Sequence, residues 1–167
     1  MWAAIESALE QALINHIRKA PDAGDVILSA SPSLNKPKVA AAIAADAEKA
    51  LQFWRSDISN QYEIHSFERD LAMLAAFSYG IKLTDDQRHT LIEMSEVRNL
   101  FLHRSGFIDA RFLDKTKLAE AALGEQIKIS ENAMLAYRDA AHAIALAMIA
   151  AAVASPYIYK APTVETV

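Results

Sequence analysis

A chain of 167 residues, 53% of them apolar and 23% charged, is long enough to bury about 70% of its unfolded surface as one domain without a covalent staple. With no cysteine it has neither a disulfide framework nor a thiolate metal site, and a formal net charge of −4 argues against nucleic-acid binding through the whole surface. The amino-terminal MWAAIESALEQAL carries glutamates where a secretion signal carries lysine or arginine, and it lacks a continuous apolar core, so the expected location is the cytoplasm.

Trp2, Ile5, Leu9, Leu13 and Ile17 recur at helical spacing and predict a first helix that ends at Ala20, before Pro21. Residues 25–36 read as irregular. Asn35 or Ser33 is the expected cap of a second helix, with Pro37 in its first turn, running through the alanine-rich VAAAIAADAEKALQFW to about Ile58. A third is expected from Gln61 to Tyr79, stopped by Gly80. The fourth has Thr84 as its cap and Asp85 and Asp86 in its first turn, where carboxylates favour the positive end of the helix dipole, and it runs to about His103.

Beyond a turn at Gly106 the pattern predicts a short helix near 112–122, an extended GEQIKIS, and a long last helix capped by Ser130. Within that last helix the apolar run Ala140–Ala154 is too short to cross a bilayer, so it is expected to be buried, its small side chains admitting close neighbours. Only IKI alternates as a strand does. The whole chain, 1–167, therefore reads as a single all-α domain, a helical bundle of about five to six helices.

Chemistry concentrates in the stretch EVRNLFLHRSGF, residues 96–107. On a helical wheel Leu91, Met94, Val97, Phe101 and Leu102 fall along one side, which predicts the buried stripe. Arg98 falls in the middle of that stripe, while Asn99 and His103, one turn apart, stand together on one flank of it. A guanidinium stays charged, so burying Arg98 costs several kcal/mol unless a partner offsets it.

Two readings stay open for these residues taken one by one. Arg98 can be half of a buried ion pair, and His103 can be a helix C-terminal dipole partner or a satisfied core residue. A local excess of positive charge favours a further role. Arg98, Arg104, Arg111, Lys115 and Lys117 stand against Asp109 and Asp114, a balance of +3 inside a chain of −4, which suits a phosphate-bearing partner.

EVRNLFLHRSGFIDARFL resembles the active-site segment of HEPN domains, whose signature is an arginine, usually followed by a polar residue, with a histidine four to six residues on. The RiboL-PSP type is the variant it is most similar to, with its Arg-Asn and His on one helix, a glycine-containing turn and then an acidic residue. FSYGIKL before the motif helix and GEQIKIS after it extend the likeness over about residues 36–154; the first 35 residues add nothing to it. The resemblance implies a metal-independent endoribonuclease on a dimeric helical bundle, with Arg98, Asn99 and His103 as the catalytic set; the local excess of positive charge makes Arg104, Arg111, Lys115 and Lys117 the expected RNA contacts. The resemblance also implies action as a toxin or defence effector, RNA as substrate, and a protein antitoxin such as a nucleotidyltransferase as a second partner; neither a cofactor nor a membrane is expected.

The chemistry agrees with that implication. Attack of a 2′-hydroxyl on the adjacent phosphorus needs a base for that hydroxyl, an acid for the leaving 5′-oxygen and a cation for the developing phosphorane charge. Histidine serves as either proton carrier near neutral pH, and arginine matches phosphate geometry in a bidentate manner. One histidine per chain cannot be both at once, so two copies meeting across a two-fold axis would complete the site. The alternative from another class is a HEPN-like module without catalysis, in which Arg98 and His103 bind a nucleotide or hold a dimer together.

Other constellations carry less. Asp139 with His142 and His65 with Glu68 have the spacing of helical ligand pairs, but a di-metal bundle site needs Glu-x-x-His twice and two further glutamates, so no metal is expected. His16 and His89 read as surface residues, and Trp2, Phe53, Trp54, Phe67 and Phe77 as core.

Overall fold

The computed structural model describes residues 1–31, 34–61, 65–116, 122–155 and 157. Among them are eight α-helices and no strand longer than an isolated bridge: α1 (Trp2–Lys19), α2 (Ala23–Ala30), α3 (Lys36–Ala45), α4 (Ala47–Gln61), α5 (Ser66–Ala76), α6 (Asp85–Arg104), α7 (Ala110–Thr116) and α8 (Glu131–Ala154). The all-α class is as expected, while the helix count exceeds the expected five to six for two local reasons. Residues 23–30 are helical rather than irregular, burying Ala23 and Ile27. The expected second helix is broken at Asp46, whose backbone is extended and whose Oδ1 accepts from the Glu48 amide at 3.0 Å. An aspartate inside an alanine run thus caps a new helix instead of continuing the old one.

The expected third helix ends early, at Ala76, because Ser78 takes the left-handed conformation (φ 61°) and Tyr79 N donates back to Leu74 O at 3.0 Å. Gly80 is not the residue that turns the chain. The short helix expected near 112–122 begins sooner, at Ala110, where the Asp109 carboxylate accepts from Phe112 N at 2.8 Å; its expected last residues, 117–121, lie outside the described residues. Ser130 caps α8 as expected, its hydroxyl accepting from Ala133 N at 3.1 Å.

The described contacts gather into two compact units, residues 1–5 with 82–147, and residues 6–81 with 148 onward. In the first, Leu91, Met94, Val97 and Leu100 of α6 are buried, as are Phe112 of α7 and Tyr137, Ala140 and Ile144 of α8. Tyr137 donates its hydroxyl to Glu93 Oε1 at 2.6 Å, which ties α8 to α6.

In the second unit Leu13, Ile14 and Ile17 of α1, Trp54 of α4, and Phe67, Leu74 and Phe77 in or beside α5 are buried. Arg55 makes a fork with Asp70, Nε to Oδ1 at 3.2 Å and Nη2 to Oδ2 at 2.6 Å, and Arg69 Nε donates to the same Oδ1 at 3.1 Å. His16 corrects the surface expectation, being 0% exposed. Its Nδ1 lies 2.7 Å from Ala12 O and its Nε2 3.1 Å from Ser155 Oγ. A carbonyl only accepts, so Nδ1 carries the hydrogen and Nε2 accepts from the serine. Burial pushes the pKa of this imidazole below its ordinary 6.5; the bond to Ala12 opposes that shift and the charge of Lys19 adds to it.

α8 departs from the expected buried helix. Only 28% of its most apolar 18-residue window is buried, and Leu146, Ile149 and Val153 face outward. At 24 residues it is, by length and composition, long and apolar enough to cross a membrane, because the helix extends well before the Ala140–Ala154 run.

Candidate active site

The site is built on the carboxyl-terminal half of α6. A capping box fixes the start of that helix: Thr84 Oγ1 accepts from Gln87 N at 3.2 Å, and Gln87 Oε1 accepts from Thr84 N at 2.9 Å. Its end is fixed by Ser105 in the left-handed conformation (φ 52°) and Gly106 (φ 82°), with Gly106 N donating to Leu100 O at 3.0 Å. A Cβ at Gly106 would lie 3.1 Å from the Phe101 ring in a conformation that side chains already resist, so glycine is required here. The chain then folds back on itself: Ile127 N donates to Gly106 O at 2.9 Å, Ile108 N to Glu125 O at 2.8 Å and Gly124 N to Ile108 O at 2.8 Å. The extended GEQIKIS is thereby paired with the turn that follows the motif helix.

α7 packs on α6, and between them opens a cleft of about 340 Å³. The α6 wall is Glu96, Asn99, Leu100 and His103, an i, i+3, i+4, i+7 series on one helical face. Arg104, Asp109 and Arg111 complete the rim. Two guanidinium groups therefore sit beside two carboxylates, Arg104 Nε 3.5 Å from Asp109 Oδ2 and Arg111 Nη2 3.9 Å from Glu96 Oε1. Both separations exceed hydrogen-bond length, so each guanidinium keeps N–H groups to present to an anion.

Asn99, His103, Arg104 and Arg111 are thus brought together, with the imidazole of His103 exposed. Arg98 is not part of that lining. It is half-buried on the other side of α6 and reaches back through Nη1, which donates to Asn99 Oδ1 at 3.3 Å. The expected stripe around it is only half right: Leu91, Met94 and Val97 are buried, whereas Phe101 is 49% and Leu102 58% exposed. Near its end α6 rises out of the core, so the wheel overstates how far burial extends. Lys115 is half-buried and does not line the cleft, and Lys117 lies outside the described residues.

Glu96 escapes a reading of the sequence, and Asp109 enters it only as an acidic residue after the turn, not as a wall of the cleft. Glu96 shares a helical face with Asn99 and His103, a spacing that could have flagged it. Asp109 carries the signature of a cap three residues before Phe112.

A second hollow of about 450 Å³ lies beside Tyr137 and Glu93. Burial first, then the hydrogen bond from Tyr137 to Glu93 and the charge of that carboxylate, push the tyrosine well above its ordinary 10, so it stays protonated and acts as a donor. Among the described residues no three histidine, aspartate or glutamate side chains gather as metal ligands, and Asp139 pairs with its neighbour Arg138 at 2.7 Å. Compared with protein-family models, curated proteins and solved structures, the chain matches none.

Proposed function

We propose that the chain is a HEPN-like, metal-independent endoribonuclease whose active cleft lies between α6 and α7. The observation that carries the reading is that Asn99 and His103 open onto one cleft with Arg104 and Arg111, so a proton carrier, an amide and two phosphate-binding cations face the same space. In the reaction the 2′-oxygen forms a bond to phosphorus as its proton passes to a base, and the bond from phosphorus to the 5′-oxygen breaks as that oxygen takes a proton. The products are a 2′,3′-cyclic phosphate and a free 5′-hydroxyl. His103 acts as one proton carrier, and the arginines stabilise the charge that develops on the phosphorane.

The other proton carrier comes from a second copy. Arg98 lies on α6 with Phe101 and Leu102, three and four residues on, and these half-exposed apolar side chains form the face that a two-fold partner covers. Through its bond to Asn99, Arg98 joins that face to the cleft. The biological setting is that of a cytoplasmic toxin or defence effector acting on RNA, held in check by a protein antitoxin such as a nucleotidyltransferase.

The test is cleavage of RNA in excess chelator. Cyclic phosphate ends and resistance of a strand with 2′-deoxy substitution at the cut site support the reading. Cleavage that requires added divalent ion, or that ignores the 2′-hydroxyl, sinks it. A module without catalysis is separated by the same assay: it binds RNA and leaves it whole.

A further inference from the structure

Glu96 is the least accessible polar group of the cleft, at 4% exposure, while the guanidinium across from it, Arg111, is 72% exposed. The carboxylate is fixed by its place in the middle of α6, one face with Asn99 and His103 and two turns before the histidine. Arg111 stands one residue into α7, close behind the turn that the pairing of residues 106–108 with 124–127 holds in place. Between them the gap is 3.9 Å, close enough for Coulomb attraction and too long for a hydrogen bond. A long arginine side chain on the surface otherwise samples many rotamers, and ordering it on binding costs affinity.

We infer that Glu96 is a positioning residue: its buried carboxylate draws the Arg111 side chain inward over the cleft, so that α6 and α7 close on a phosphate of a nucleic-acid strand. The inference rests on the ribonuclease reading for its substrate class, although capture of an anion by the cleft does not itself require catalysis. Glu96 touches no reacting atom. It acts through Arg111, and a phosphate entering the cleft takes up the N–H groups that the long ion pair leaves available. Arg104, 3.5 Å from the more exposed carboxylate of Asp109, puts a second guanidinium on the same rim.

Binding is measured with two probes, a 2′-O-methyl oligoribonucleotide, which lacks the attacking hydroxyl, and inorganic pyrophosphate. Arg111→Ala is expected to weaken both by about tenfold, and Glu96→Gln by a similar factor. The double variant binds no more weakly than Arg111→Ala alone, because Glu96 acts on the anion only through Arg111. With cleavable RNA, Glu96→Gln lowers kcat/KM by about tenfold, through kcat as well as KM, because the Arg111 it positions also stabilises the charge that develops on the phosphorane, and the double variant falls no further than Arg111→Ala. A residue that only stabilises the fold lowers the melting temperature without that coupling. Should Glu96→Gln melt below the assay temperature, Glu96→Asp, which withdraws the same charge by one methylene, replaces it, with about threefold weaker binding expected and the same lack of effect beside Arg111→Ala.

Wild-type affinity in the folded Glu96 variant, losses that multiply in the double variant, or a native chain that binds neither probe overturns the inference. RNA cleavage by the native chain without the coupling retires the role of Glu96 and leaves the ribonuclease standing. Pyrophosphate binding with the coupling, but without any cleavage, does the reverse.

Discussion

His16 and His103 both stand in the last turn of a long helix, α1 in one unit and α6 in the other, and their surroundings give them opposite work. The His16 ring is sealed beneath Phe77 and Tyr79, at centroid distances of 5.6 and 4.9 Å, with both nitrogens engaged. His103 is exposed on a cleft beside two arginines. The contrast teaches that a histidine's use is decided by which neighbours the fold brings to it, since position on the helix is the same for both. One imidazole is sealed and serves as a structural bridge, and the other stands open to solvent on the cleft.

The largest expected effect breaks the comparison at the exposed end. His103→Ala should lower RNA cleavage at least about a hundredfold while the melting temperature stays close to that of the native chain. A large loss of stability would put His103 in the same class as His16. At the buried end, His16→Ala should cost roughly 3 kcal/mol in a urea melt, from the cavity and from a Ser155 hydroxyl left without its acceptor. Asp70→Ala should cost about 3 kcal/mol as well, because it removes the carboxylate that Arg55 and Arg69 share and leaves the two half-buried guanidiniums, among the described residues, with only Glu10 and the Ser59 hydroxyl; wild-type stability there would make that network ornamental.

Acidity sharpens the difference. The folded pKa of His16 lies below that of the unfolded chain, so near and below pH 6.5 the unfolded state binds more protons. Stability from this group is therefore complete above about pH 6.5 and is lost as pH falls towards the folded pKa. Thermal melts from about pH 7.5 to 5.5 should show a decline that is smaller in His16→Phe, and an unchanged slope in that variant would mean that His16 is not the group responsible. The smallest effect belongs to Tyr137→Phe, about 1 kcal/mol, from removing the donor to Glu93 while the ring remains packed. A neutral result in that melt would mean that water takes the place of the phenol.

Where a sequence carries local rules, it is legible. Thr84 with Gln87 and two aspartates announce α6, and Ser130 announces α8, because a cap is read within four residues. Asn99 and His103 are likewise placed on one flank by helical spacing alone. Burial is less readable, since it depends on what packs opposite. Phe101 and Leu102 look like core on a wheel and project from it, Glu96 is enclosed although nothing in its spacing singles it out as core, and His16 looks like surface and is bonded to Ser155, 139 positions away. Asp46 is hidden for another reason: surrounding alanines have such high helix propensity that a lone capping residue among them is easily read through.

The pairing behind the motif helix bears on how quickly the cleft comes into being. Gly106 and Ile127, Ile108 and Glu125, and Ile108 and Gly124 are joined by backbone hydrogen bonds that span only about two dozen residues or fewer, so the loop that must close is short and its entropy cost small. Both walls of the cleft, α6 and α7, lie within or directly against that loop. Contacts of low sequence separation form early in folding, whereas the bridge from His16 to Ser155 must wait for both ends of the chain to meet. Pulse-labelled hydrogen exchange during refolding should accordingly protect the amides of Ile108 and Ile127 in its earliest phase, which puts both walls of the cleft in place on a chain whose other half is still assembling.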